Sequence, residues 1–195
     1  MLEWSVDALR EVEGVSEIVI ALPAQSLHCA PAGTVAVAGG VQRSHSVRAA
    51  LAACGAGDPV IVHDAARPLA TVELFEQALR ELARHAEVDA VIAAAPVTDT
   101  IKEVGPDGRT VTRTLDRSRL WAVQTPQVFR RAVLERAMAD DEAVLAAATD
   151  DAWLIERWGG IVHVVGGDPD NLKITTREDL RVAELLLRDR GALPA

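Results

Sequence analysis

Cysteine is scarce: Cys29 and Cys54 are the only two in 195 residues, and no C-x-x-C spacing occurs. A disulfide scaffold is thereby excluded. Long apolar runs are missing too, none approaching the ~18 residues that a membrane span needs. The opening Met1-Leu2-Glu3-Trp4, soon followed by Asp7, Glu11 and Glu13, is not a signal peptide. Net positive charge is also absent. The formal charge is -9, which argues against a DNA or RNA partner because nothing supplies broad phosphate neutralisation. A small anionic ligand held by a few placed cations stays compatible with it. No Walker A loop and no Ser-His-Asp or Cys-His arrangement is evident. What is there is 49% hydrophobic and 25% charged, with a mean hydropathy of +0.13. These values describe a folded chain with a substantial core and lead to the expectation of a single cytoplasmic domain over 1–195.

Short β-branched runs alternate with longer amphipathic ones. Leu2, Val6 and Leu9 recur at helical spacing, then Ile18–Leu22 reads as a strand. Strands are predicted again at Val35–Val37, Val60–Val62, Ala90–Ala93 and Ile161–Val165. Helices are predicted around Val47 and Leu51, over Leu74–Leu82, at Arg131–Met138, at Asp150–Trp158 and at Thr176–Arg190. Continuous apolar strands separated by helices predict an α/β fold with a parallel sheet covered on both faces. The alternation breaks between Thr100 and Arg117, where two polar runs flank Gly105-Pro106-Asp107-Gly108. That signal predicts a hairpin leaving the main body as an arm, at about 98–119. The start is unusual. Open parallel sheets commonly begin with a strand and a phosphate-binding turn, whereas this chain opens on a helix. The expectation is that the sheet begins elsewhere or that one βα unit lies outside the sequence.

Four stretches carry candidate chemistry. His63-Asp64-Ala65-Ala66-Arg67-Pro68 follows a predicted strand, so Asp64 and Arg67 should face the crevice beyond the strand ends. A carboxylate there suits Mg²⁺, and an arginine fork suits a phosphate. Capping of the next helix by an Asp–Arg pair is the competing reading, and His63 reads as locally packed. Lysine is nearly unused: only Lys102 and Lys173 occur among 20 basic residues. Lys173, in Asn171-Leu172-Lys173-Ile174-Thr175 before the last helix, is the better candidate for a required ammonium. Gly39-Gly40-Val41-Gln42-Arg43-Ser44-His45-Ser46 again joins a strand to a helix, where backbone N–H groups favour an anion and Ser46 offers a hydroxyl. In Asp116-Arg117…Leu120-Trp121…Gln124-Thr125-Pro126-Gln127-Val128-Phe129, Arg117 and Thr125 offer phosphate or hydroxyl contacts, while Trp121 and Phe129 suit a core. Asp140, Asp141 and Glu142 read as a solvated face, and Thr149-Asp150-Asp151 as a helix start with first-turn carboxylates.

In order and spacing these stretches, with Ala95-Pro96-Val97-Thr98-Asp99-Thr100-Ile101-Lys102, resemble the 2-C-methyl-D-erythritol 4-phosphate cytidylyltransferase family from residue 1 to the last helix. The resemblance implies a Rossmann-like nucleotidyltransferase fold with a protruding β-arm and a homodimer. It also implies Mg²⁺-dependent transfer of a cytidylyl group from CTP to 2-C-methyl-D-erythritol 4-phosphate in isoprenoid precursor synthesis. Asp64 would hold Mg²⁺ and position the sugar phosphate, which Arg67, Lys173 and Thr125 would contact. Thr100 and Arg117 would reach the partner subunit's site through the arm. Gly39, Gly40, Ser46, Asp64 and Ala65 would lie at the nucleotide. The family begins with a strand, a Gly-rich loop and a Pro-Lys-Gln segment that cradle the triphosphate, and the resemblance implies that residue 1 falls after them. Two alternatives stay open: ribitol 5-phosphate cytidylyl transfer on the same scaffold, and a remnant of the family without catalysis.

Overall fold

The architecture follows from two apolar faces on one sheet. In the computed structural model, which describes residues 1–192, a four-stranded sheet has the order β3-β7-β4-β8. Its strands are β3 (Val60–Val62), β4 (Ala90–Pro96), β7 (Trp121–Phe129) and β8 (Val162–Gly166). Side chains alternate across a pleated strand. Ala90, Ile92 and Phe129 therefore pack on one face with Leu134, Leu154 and Ile155, from α4 (Arg131–Met138) and α6 (Asp151–Glu156). Val91, Ala93 and Val128 take the other face with Leu74, Ala78 and Leu82, from α3 (Val72–Arg84). Both faces are dry, which explains the unbroken apolar runs.

The sheet is mixed rather than all parallel, which corrects the expectation. β7 runs antiparallel to both β3 and β4, with Ile92 opposite Gln127 and Val62 also opposite Gln127, whereas β4 and β8 are parallel. The cause is the arm. β4 leads into the hairpin β5 (Lys102–Val104) and β6 (Val111–Thr114), and the chain returns alongside β4 as β7. An outgoing and a returning strand that lie side by side must be antiparallel. Every residue of β5 and β6 is exposed, as an arm requires. Trp121 departs from the expected core role and is 43% exposed, while Phe129 is fully buried.

The remaining helices are α1 (Leu2–Glu11), α2 (Arg43–Ala53), α5 (Glu142–Ala147) and α7 (Arg177–Asp189). α5 starts within the acidic stretch expected to be a solvated face. Glu142 itself stays exposed, bound to Arg48 at 2.7 Å and His45 at 2.8 Å. α6 is shorter than predicted, capped by Asp150, whose carboxylate accepts from Trp153 N–H. α7 opens on a capping box between Thr176 and Asp179 and buries Ala183 and Leu187.

β1 (Val19–Leu22) and β2 (Val35–Ala38) form a separate parallel pair. Among the described residues β1 has no strand partner besides β2, and β3 none besides β7. Their bare edges line one cavity of about 690 Å³, closed by Val6 and Leu9 of α1 and Val47 and Leu51 of α2. The interruption lies inside the fold, between β1 and the β3 border of the four-stranded sheet.

Candidate active site

A cleft of about 340 Å³ opens where β3 ends and β7 passes, walled by the loop after β8 and by α6. Asp64 stands at its centre, two residues beyond β3. Its Oδ2 lies 2.8 Å from Lys173 Nζ and its Oδ1 3.0 Å from Arg43 Nε. Burial works against the ionised form, but hydrogen bonds and charge from Lys173 and Arg43 outweigh it, holding the Asp64 carboxyl below its ordinary value. Arg43 bridges onward to the buried Asp151, 2.6 Å from Nη1. Burial pushes the Asp151 carboxyl up despite that partner, with Asp150 and Asp64 adding repulsion.

The backbone around Asp64 is pinned by side chains. Thr125 Oγ1 accepts the Asp64 N–H at 3.0 Å and lies 3.0 Å from His63 Nδ1. His63 Nε2 lies 3.2 Å from the carbonyl of Arg67. A carbonyl only accepts, so Nε2 carries the proton and Thr125 donates to Nδ1. Burial favours this neutral ring and pushes the His63 pKa down to about 4. Arg67 donates from Nη1 to the carbonyl of Asn171 at 2.6 Å. Asn171, itself buried, donates to Gln124 Oε1 and the carbonyl of Thr125. The loop after β8 is drawn in so closely that a Cβ on Gly167 would meet Gln124 Oε1 at 2.4 Å.

Three of these groups keep unused polar atoms. Arg67 Nε, Gln127 Oε1 and Asn171 Oδ1 are buried without a protein partner. Unpaired buried polar groups are costly, and Arg67 and Gln127 both line the cleft, which favours a polar ligand there. Three cations, Arg43, Arg67 and Lys173, share the cleft with three carboxylates, Asp64, Asp150 and Glu156, and a fourth, Asp151, lies buried behind Arg43. Such a wall does not attract a polyphosphate by itself. A divalent cation that arrives with the phosphates corrects the imbalance, and Mg²⁺ asks for only one or two carboxylates when phosphates and waters complete its octahedron. Asp64 fits: each of its oxygens is committed to a single cation contact and retains a lone pair.

The structure thus brings together Asp64, Arg67, Thr125 and Lys173. Ala65 and Ser46 border the neighbouring 690 Å³ cavity, on the far side of Asp64. Ser46 Oγ accepts from Gly40 N–H at 3.1 Å, and Gly39 N–H is bonded to the carbonyl of Leu22. That fold-back needs glycine at position 40, where a Cβ would sit 2.3 Å from His45 Cβ. Gly39 and Gly40 border neither cavity. Thr100 and Arg117 lie outside both cavities as well, Arg117 donating to the carbonyl of Thr98 at the base of the arm. Arg43 was not singled out from sequence. The available signal was electrostatic: an arginine opening a helix opposes the helix dipole, so it requires an acidic partner, here Asp64 and Asp151.

The sequence profile of the IspD family, 2-C-methyl-D-erythritol 4-phosphate cytidylyltransferase, matches residues 1–189. The chain belongs to that family. It is 50% identical over 162 residues to the cytidylyltransferase of Symbiobacterium thermophilum, covering 83% of this chain and 67% of that protein. With the enzyme of Nocardia farcinica it shares 45% identity over 99% of this chain and 84% of the relative. The crystal structure of the Thermus thermophilus cytidylyltransferase superposes with a TM-score of 0.82 at 34% identity, covering 96% of this chain and 88% of that one. The fold is accordingly the Rossmann-like nucleotidyltransferase fold of this family. Among the described residues no helix is long and apolar enough to cross a membrane.

Proposed function

We propose that the chain transfers the cytidylyl group of CTP to 2-C-methyl-D-erythritol 4-phosphate, yielding 4-diphosphocytidyl-2-C-methyl-D-erythritol and pyrophosphate. Family membership supports the reaction, and the convergence of Arg43 and Lys173 on Asp64, with Arg67 lining the same cleft, is the observation that supports its location. A phosphate oxygen of the sugar attacks the α-phosphorus, and the bond to the pyrophosphate oxygen breaks. No proton need move and no covalent enzyme intermediate forms, so the protein's part is orientation and charge neutralisation. Lys173 and Arg67 hold the sugar phosphate; Thr125 keeps the Asp64 loop in place. Mg²⁺, held by Asp64, supplies charge neutralisation between the two polyanions. The 1–195 chain works as one nucleotidyltransferase domain in a cytoplasmic homodimer, with Thr100 and Arg117 on the arm reaching the partner subunit's cleft. Ser46 with Gly39, Gly40 and Ala65 lies on the nucleotide side.

The test is product analysis by mass spectrometry with CTP, Mg²⁺ and either methylerythritol phosphate or ribitol 5-phosphate. A diphosphocytidyl product from the first substrate is expected, and Arg67→Ala or Lys173→Ala should lower turnover by about 10²-fold or more without shifting the melting temperature appreciably. Product from ribitol 5-phosphate alone would reassign the substrate. No product from either would leave a remnant without catalysis.

A further inference from the structure

Away from the cleft, a second cluster of metal-binding side chains has no part in the proposed chemistry. Glu81 lies in the last turns of α3, His85 caps that helix, and His163 is the second residue of β8. The cleft loop leaves the opposite end of β8, so the cluster lies toward the other end of the strand. One donor atom from each of the three residues falls within 4.8 Å of the other two. His163 Nδ1 is 2.8 Å and His85 Nε2 3.6 Å from the same oxygen, Glu81 Oε1. The imidazole rings are 5.1 Å apart between centroids.

We infer that Glu81, His85 and His163 form a binding site for a divalent transition metal, with zinc the best match. Two imidazole nitrogens and one carboxylate oxygen are the donor types that Zn²⁺ takes at about 2.0–2.2 Å. Tetrahedral ligation needs donors ~3.4 Å apart, and the present spacing reaches that by small side-chain rotations. A fourth position stays open to water. The spacing of Glu81 and His85, four residues apart, places both on one side of the helix end. His163 approaches from the sheet, whose register with Val91 fixes its height. An outer partner is also in place: Glu87 Oε1 lies 3.4 Å from His85 Nδ1, which keeps the proton on that nitrogen and directs the lone pair of Nε2 toward Glu81. Carboxylates behind metal-bound imidazoles act in this way. The three side chains are between 26% and 41% exposed, enough for a metal to enter. Mg²⁺, which prefers oxygen ligands, is not expected here.

The experiment uses tag-free protein freed of metal with a chelator and titrated calorimetrically with zinc chloride. One saturable site per chain is expected, undisturbed by millimolar Mg²⁺ and weakened about tenfold or more by His85→Ala, His163→Ala or Glu81→Gln. His28→Ala, far from the cluster in sequence, should leave it unchanged. Cobalt(II) titration should give visible d–d bands of low coordination number that those three variants lose. Absence of saturable zinc binding, or binding that survives both Glu81→Gln and His163→Ala, overturns the assignment. Glu81→Gln keeps the shape of the side chain, so it remains informative if a histidine variant folds poorly.

Discussion

Thr125 shows how a single hydroxyl organises the cleft. It receives the Asp64 N–H and donates a hydrogen bond to His63, so the orientation of the Asp64 loop depends on a neutral imidazole. His63 is held neutral down to about pH 4 in the folded chain, against an ordinary value of 6.5. The unfolded chain therefore takes up that proton first as pH falls. The stability that rests on neutral His63 is complete above about pH 6.5 and is lost progressively toward pH 4, a loss on the order of 2–3 kcal/mol. Chemical denaturation followed between pH 7 and pH 4 should show this decline, and His63→Asn should flatten it. An unchanged slope in that variant would place the proton elsewhere. At this scale the sequence was partly legible. Asp64, Arg67 and Lys173 stood out by position at strand ends and by the near absence of lysine. Arg43 and Asp151 did not, because the pair they form spans 108 residues of sequence.

Among the elements, β7 was the hardest to foresee and β5–β6 among the easiest. Gln124, Thr125, Pro126 and Gln127 interrupt β7 with polar side chains and a residue lacking an N–H, so no apolar run announces a strand there. Their burial makes sense only once the strand is seen to pass beneath the cleft, where Asn171 and Asp150 take up their polar atoms. The hairpin, by contrast, is local: Pro-Asp-Gly turn chemistry announces it without help from distant contacts. Its exposed strands bear on the proposed dimer. Mixing Arg117→Ala with Lys173→Ala protein should restore activity that neither has alone, because a mixed dimer contains one cleft with both groups intact. With random re-association the recovery approaches about a quarter of the unmutated rate. No recovery after verified subunit exchange would mean that each arm serves its own chain.

Across the whole molecule the packing is uneven. β4 and β7 have strand partners on both sides and both faces covered, whereas β1 is paired on one side and borders a cavity. Amide hydrogens of Val19–Leu22 should therefore exchange well before those of Ala90–Ala94, with opening of the β1–β2 pair preceding global unfolding. Equal protection in the two strands, measured by hydrogen–deuterium exchange, would contradict this. The α/β class was legible from alternating runs, but the break between β1 and β3 was not located, since hydrophobic pattern reports burial and not which strand lies beside which.

That break also has a bearing on how copies of the chain behave in concentrated solution. Backbone groups on two unpaired borders present a ready template to any extended segment that reaches them, including one from a neighbouring molecule that has partly opened.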